Sequence, residues 1–420
     1  MLSSFFKRIR RIWSIPTLRD RIGYTFLMFL VVRAGVHMPL PGVDLIRIKN
    51  MAKGGFVDFV NLISGGAFSK ASIFTLGIAP YISASIIMYV LTLAYPKLEQ
   101  MQREGGKEKE KITQWTRYLG IGISLFQSIL AITFLQMNGY IEAPSVWFYL
   151  NTMLILTTSV TFLTWVGDQI TTNGIGNGIS LIIFVGIVAR IPTSAISLFR
   201  SSSSMNFLII ELIFISLLSG LMIAAIVAFQ LATRKVPVIY ASGKGKSIAT
   251  KSFIPMKINN SGVMPIIFSN LIASIPSTVV FYLPESWDLR LKLMGLFSSG
   301  SLVYNLLYFA LVLLFTFFYT SVVFDPEKIA DNLRKSGASI PGVRPGSETV
   351  AHLESIIVRI TFGGAVFLAT IAILPYVLSS LFGASFSIGG TGIIIAVGVA
   401  IETLQQIEGA LSMEEYQSFI

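Results

Sequence analysis

The chain has 420 residues, of which 53% are hydrophobic and only 13% charged, and it carries a formal net charge of +11. Soluble domains average about 25% charged residues, so this composition belongs to a chain solvated largely by lipid. Cysteine is absent, which excludes disulfides, thiolate metal sites and thiol nucleophiles, and the two histidines, His37 and His352, lie too far apart in sequence for an all-histidine metal site to be expected.

A bilayer core is crossed by about 20 apolar residues of helix. Ten such segments are predicted, at 22–40, 71–96, 116–136, 146–166, 179–199, 207–232, 261–283, 302–324, 356–381 and 390–410. An even number puts both termini on one side. Residues 1–21 read as an amphipathic N-terminal segment. Phe5, Ile9, Ile12 and Trp13 fall at helical spacing among basic residues, which suits a helix lying on anionic lipids. The first span starts late, contains Arg33 and leads to no small-residue cleavage pattern, so no cleavable signal is expected. Between spans one and two, Phe56, Phe59, Val60 and Ile63 share a helix face and are followed by Ser64-Gly65-Gly66. This stretch is too short to span. It reads as a small helix on a glycine hinge, either entering the membrane from outside or lying at the interface.

Residues 167–178 form a glycine-rich polar turn between spans four and five. Gly174, Gly176 and Gly178 do not fit the dinucleotide fingerprint, which also needs a strand and a soluble βαβ unit. At 233–258, Val236, Val238 and Tyr240 alternate, Ser242-Gly243-Lys244-Gly245-Lys246 turns the chain, and Ile248 to Ile254 can return, which predicts a β-hairpin. Gly245-Lys246-Ser247 ends like a P-loop, but the required first glycine would fall at Tyr240. The loop 325–355 contains two Pro-Gly pairs, Pro341-Gly342 and Pro345-Gly346, and reads as a turn-rich tip.

The positive charge is one-sided. Of the 32 basic residues, 23 fall in 1–21, 97–117, 233–258 and 325–359, all on one face of the ten-span topology. The positive-inside rule then places both termini and these loops in the cytoplasm. The basic balance therefore reports orientation before any nucleic-acid partner. Ten spans divide into two sets of five that must insert in opposite senses, which permits an inverted repeat. Gly77 and Pro80 interrupt span two, and Gly262 and Pro265 interrupt span seven. Discontinuous helices and ordinary proline kinks both fit these residues.

Ionisable groups are nearly missing from the spans. Arg33 lies toward the outer half of span one, and Asp168, Glu211, Arg359 and Glu402 lie near span ends. No HExxH, GxSxG or paired aspartates occur. Neither an enzyme nor a cofactor is expected, and a transporter with midplane carboxylates is disfavoured. What remains is a path lined by apolar and small polar side chains, where branched aliphatics can exclude water by dewetting. Ile78 and Ile82 share one face of span two, and Ile183 and Ile187 one face of span five. Packing, lipid contact and a pore lining all fit such pairs.

Several stretches, in order, carry a specific likeness: 33–44 (RAGVHMPLPGVD), 73–87 (IFTLGIAPYISASII), 174–180 (GIGNGIS), 259–268 (NNSGVMPIIF), 330–337 (ADNLRKSG), 340–346 (IPGVRPG) and 389–392 (GGTG). Together they resemble the SecY family, the channel subunit of the bacterial preprotein translocase. The resemblance implies an all-α integral membrane protein of the bacterial inner membrane. Its ten transmembrane helices would form two inverted five-helix halves, 22–199 and 200–410, as a clamshell around a central pore, with a short tail at 411–420. It implies a plug at about 56–65, including Phe56, Phe59, Val60, Ile63, Gly65 and Gly66. The pore ring would be Ile78, Ile82, Ile183, Ile187, Ile267 and Ile395. Spans two and seven would form a lateral gate with Ser83, Ile87, Asn259, Leu271 and Ile275. The loops 233–258 and 325–355 would receive the SecA ATPase or the ribosome through Arg234, Lys235, Lys244, Lys246, Lys251, Arg334, Lys335 and Arg344. The implied activity is translocation of unfolded secretory polypeptides and sideways release of hydrophobic segments into lipid. Implied partners are signal sequences, SecE-like and SecG-like small subunits and anionic lipids, with no specific nucleic acid apart from ribosomal RNA contact. Two departures stand out. The chain ends soon after span ten with Glu414 and Glu415 where many members carry a longer basic tail, and Gly392 stands where a small polar residue is commoner. The alternative from the residues is a secondary transporter with an inverted-repeat fold.

Overall fold

A computed structural model describes residues 12–44, 61, 64–141, 145–192, 196, 205–240, 252–283, 287–298, 301–382 and 390–417. In chain order the elements are α1 (Pro16–Gly35), α2 (Ala79–Ala94), α3 (Pro96–Glu104), α4 (Gly106–Met137), α5 (Val146–Asn173), α6 (Gly178–Val188), α7 (Met205–Leu231), β1 (Thr233–Tyr240), β2 (Ser252–Lys257), α8 (Met264–Phe281), α9 (Asp288–Leu296), α10 (Leu302–Val323), α11 (Pro326–Lys335), β3 (Ala338–Ser339), α12 (Ser347–Phe382) and α13 (Gly390–Gln417). Among the described residues, α4, α5, α7, α10, α12 and α13 include stretches long and apolar enough to cross a membrane, α2 bends by 110° into α3, and α6 and α8 are shorter apolar helices.

The helix starts explain where spans begin. Ser145, Asn177, Ser301 and Asp325 cap α5, α6, α10 and α11 by accepting the backbone N–H of Phe148, Ser180, Tyr304 and Lys328. Each cap satisfies an amide that the helix itself leaves unpaired. Helices α2 and α8 lack a side-chain cap and carry proline in the first turn instead. The apolar span expected from 71 is interrupted as its Gly77 and Pro80 suggested: residues 71–78 are turns and an isolated bridge at Ser72, and the helix starts at Ala79. Gly77 has φ 55° and Gly262 has φ 63°, a left-handed conformation that stops a helix. Pro80 and Pro265 are therefore not kinks inside helices. They sit where a missing N–H costs nothing.

The chain folds as two compact units, Met1–Arg200 with Val399–Ile420, and Ser201–Gly398. In the first, α4 packs against α2 and α5, and α5 packs against α1 and α6. Leu40, Leu76, Ala131, Leu156 and Val160 form one buried cluster. Arg117 Nη2 lies 2.7 Å from Asp168 Oδ2 and links α4 to α5. Helix α5 runs on to Asn173, so the expected turn over 167–178 shrinks to Gly174–Asn177. Thr171 Oγ1 accepts the Gly178 N–H at 2.9 Å, and Thr25 Oγ1 accepts the Ile175 N–H at 3.0 Å. A Cβ on Gly178 would overlap the Gly167 carbonyl, so glycine is needed there for close backbone approach. Thr17 Oγ1 donates to Glu414 Oε1 at 2.9 Å and ties the start of α1 to the end of α13.

In the second unit α10 packs against α8 and α12. The sheet has the order β2-β1-β3. Strands β1 and β2 pair antiparallel, from Thr233 opposite Lys257 to Val238 opposite Ser252. The hairpin is as expected; its return strand is described over Ser252–Lys257, which overlaps the end of the expected 248–254, and residues 248–251 lie outside the described residues. The third strand was not expected; it pairs Ser339 with Ile239 and Ala338 with Tyr240. The inward residues Val236, Val238 and Met256 share one core with Leu333 of α11, Ala338, Ile340 and Leu353, Ile356 and Ile357 of α12. The two loops read separately in the sequence thus form one small hydrophobic body.

Candidate functional site

All six isoleucines expected to line a pore are buried: Ile78, Ile82, Ile183 and Ile187 in the first unit, Ile267 and Ile395 in the second. Their positions repeat. Ile82 is the fourth residue of α2 and Ile267 the fourth of α8, while Ile183 and Ile395 are the sixth residues of α6 and α13. Each also stands five residues after a glycine: Gly77, Gly262, Gly178 and Gly390. Helices α2 and α8 share the entry Gly-x-x-Pro with the same backbone, Ile78 at φ −96°, ψ 0° and Val263 at φ −95°, ψ −9°. This spacing is present in the sequence and was not noticed there; taken alone it also fits Ile179 and Ile191, which follow Gly174 and Gly186 by five residues.

Of the expected plug residues, Phe56, Phe59, Val60 and Ile63 lie outside the described residues. Gly65 and Gly66 begin a compact run of turns with φ 66° and 86°. Gly66 N–H donates to the Asn61 carbonyl at 2.8 Å, and Asn61 Oδ1 accepts both Ser69 N–H at 2.8 Å and Ser69 Oγ at 2.9 Å. The far end is stitched to the chain after α1: Leu40 N–H donates to Ala71 O at 2.7 Å and Ile73 N–H to Met38 O at 2.9 Å. Lys70 Nζ lies 3.0 Å from His37 Nε2, and His37 Nδ1 lies 2.9 Å from Arg33 O. An ammonium only donates, so Nε2 accepts and Nδ1–H donates to the carbonyl. Partial burial, and then the charge of Arg33, lowers the Lys70 pKa.

The expected gate residues fall into two kinds. Ile87 on α2 is 43% exposed and Ile275 on α8 is 50% exposed. Each lies one helical turn after a half-buried residue, Ser83 and Leu271, so each pair shares a face. Ser83 Oγ donates to its own helix at Ala79 O, 3.0 Å away. Asn259 is buried: its Nδ2 donates to Gly262 O at 3.0 Å and its Oδ1 accepts Ser261 Oγ at 3.0 Å. It shapes the turn that starts α8.

Among the expected docking cations, Arg234 and Lys235 lie exposed on β1, and Lys235 Nζ sits 4.7 Å from the Phe253 ring centroid. Arg334 and Lys335 pair with Asp331 at 2.8 and 2.9 Å. The hydrogen bond and charge of Lys335, then Arg334, hold the Asp331 carboxyl below its usual range. Arg344 projects from the Pro-Gly tip with its side chain 88% exposed, 3.9 Å from Glu348. Its carbonyl accepts Thr349 Oγ1 at 2.9 Å, which fixes the tip to α12. Lys244, Lys246 and Lys251 lie outside the described residues.

A family model described as SecY matches residues 72–404. The chain is 38% identical to the protein translocase subunit SecY of Aquifex aeolicus over 98% of this chain and 99% of the relative. The fold is similar to a solved structure of a protein-conducting channel, with TM-score 0.65 and 17% identity over 93% of this chain and 91% of the other. It is also similar to the channel of the canine ribosome–channel complex from the endoplasmic reticulum, with TM-score 0.62 and 16% identity over 93% of this chain and 91% of the other.

Proposed function

The chain belongs to the SecY family, and from that premise we propose how its residues serve a protein-conducting channel. The protein is a multi-pass membrane protein and a subunit of a protein-translocation channel. The observation that carries the residue assignment is the repeated register of Ile82, Ile267, Ile183 and Ile395 on four helix entries. With Ile78 and Ile187 they form a soft aliphatic ring that closes around a moving polypeptide and limits ion leak. No titratable side chain is among these six, so the ring excludes water by dewetting and not by charge. Ser83, Ile87, Asn259, Leu271 and Ile275 belong to a lateral gate through which hydrophobic segments leave for lipid, and the segment around 56–65 plugs the empty pore.

The membrane is the bacterial inner membrane with both termini cytoplasmic, as the distribution of Lys and Arg supports. The body built from β1–β3, α11 and the start of α12 receives a motor ATPase of the SecA kind or the ribosome. The similar canine channel, solved in a ribosome–channel complex, supports the second of these partners. Arg344 at its tip is the contact. Small SecE-like and SecG-like subunits complete the assembly, and no catalytic step or cofactor is assigned to this chain.

The test is reconstitution of the full chain with its small subunits and motor in lipid vesicles, followed by protease protection of a secretory protein. Translocation that needs ATP and falls at least about tenfold in Arg344→Glu supports the reading, a loss of the size that removing an anchoring arginine at an interface produces. Concentrative uptake of a small solute without any polypeptide substrate would favour the transporter instead.

A further inference from the structure

Next to Ile78 the first unit has a small, partly open cavity of about 10 Å³, close to the room that one water needs. Its lining includes Val36, Ile182 and Gly186, and its only polar side chains are Arg33 and Ser64. Ser64 is 93% buried, and its Oγ has no hydrogen-bond partner among the described residues. The direct link from Arg33 Nη1 to Gly65 O is 3.4 Å long, beyond the usual 2.7–3.2 Å of an N–H···O bond. That contact cannot hold the turn alone.

The turn lies against the backbone on two sides. A Cβ placed on Gly77 would be 3.0 Å from Ser64 Cα, and one placed on Gly65 would be 2.7 Å from Gly186 Cα. Gly77 directly precedes Ile78, and Gly186 directly precedes Ile187. Whatever fixes Ser64–Gly65 therefore fixes the backbone that carries two of the ring residues.

We propose that Arg33 and Ser64 form a hydrated clamp, in which one water in this cavity bridges the guanidinium and the serine hydroxyl and presses the turn onto the backbone of Ile78 and Ile187. The guanidinium donates to the water, and the water donates to Ser64 Oγ. Arg33 is then a positioning residue of the resting seal, an assignment that rests on reading those isoleucines as the ring. Two polar groups converge on this otherwise apolar cavity, the smallest number that holds an internal water. The water also solvates a cation that has no carboxylate partner among the described residues.

The experiment uses the full chain with its small subunits in lipid vesicles. Hydrogen exchange is read over residues 64–78 and, as a folding control, over α5; resting ion flux is measured in parallel. Arg33→Gln and Ser64→Ala should each speed exchange over 64–78 by about tenfold, the scale of losing a hydrogen bond to a charged group, with α5 unchanged. Arg33→Lys should recover part of the protection, and flux should rise in step with exchange. Unchanged exchange in both Arg33→Gln and Ser64→Ala overturns the clamp. Faster exchange with unchanged flux, when Ile78→Gly does raise flux, overturns the positioning role. Unchanged flux in Ile78→Gly itself overturns the reading of the ring, whatever the exchange shows.

Discussion

At the scale of single residues, Gly178 shows what this membrane fold asks of its glycines. A Cβ there meets the backbone of Gly167, which has no flexible end to move away, whereas a Cβ on Gly122 of α4 meets open space. Gly178→Ala should cost about 3 kcal/mol, the upper range for overpacking, and lower the thermal unfolding temperature and the yield of folded protein. Gly122→Ala should be neutral or slightly stabilising. Equal stability of the two variants would contradict the packing. Asp331 gives a prediction in pH. Its folded pKa lies below the unfolded value because of Lys335 and Arg334, so its contribution is present above about pH 3.9 and is lost as pH falls through the lowered value. Lys335→Gln should move the Asp331 pKa back up, as a carboxyl-carbon titration by NMR would read. The isoleucines were singled out through the family resemblance, because apolar pairs on a helix face fit packing and lipid contact as well as a pore lining. The Arg33–Ser64 cavity was not legible, because nothing in the order of residues says that a turn at 64 rests on Gly186.

At the scale of elements, hydropathy located the spans but not the helices. The apolar patterns at 146–166 and 356–381 are shorter than the helices that contain them: α5 runs to Asn173 and α12 starts at Ser347. Backbone hydrogen bonding continues into water and leaves no apolar trace. The β-hairpin was legible from alternation at Val236 and Val238. Strand β3 was not, since two residues show no period and their partner lies in a distant loop. The common core of these elements makes a test. Val238→Asp buries a charge among Met256, Leu353 and Ile357, at a cost of several kcal/mol. Limited proteolysis should then cut both the hairpin and the 325–355 segment, whereas Ile239→Asp, on the exposed face, should leave both protected. Cleavage confined to the hairpin would show that the two loops are independent.

At the scale of the whole molecule, composition and apolar segments were enough to place the chain in a membrane, because insertion energetics depend on hydropathy directly, and the one-sided Lys and Arg distribution supports the proposed orientation. The inverted repeat, faint in sequence, acquires physical content in the shared Gly-x-x-Pro entries of α2 and α8 and their matched backbone angles. The proposed path through the six isoleucines would need no chemistry of its own, only apolar side chains that yield to a polypeptide and close behind it. The absence of native cysteine makes this directly measurable. A secretory chain bearing one cysteine is stalled midway through vesicles that contain the full translocase, with Ile82→Cys in this subunit and, as the control, Leu217→Cys on the exposed face of α7. A polypeptide threading the ring predicts a disulfide to the stalled chain from Ile82→Cys, and likewise from Ile267→Cys, but none from the control. An actively translocating preparation that gives no cross-link from Ile82→Cys, Ile187→Cys or Ile267→Cys would contradict the isoleucine ring as the path of the polypeptide.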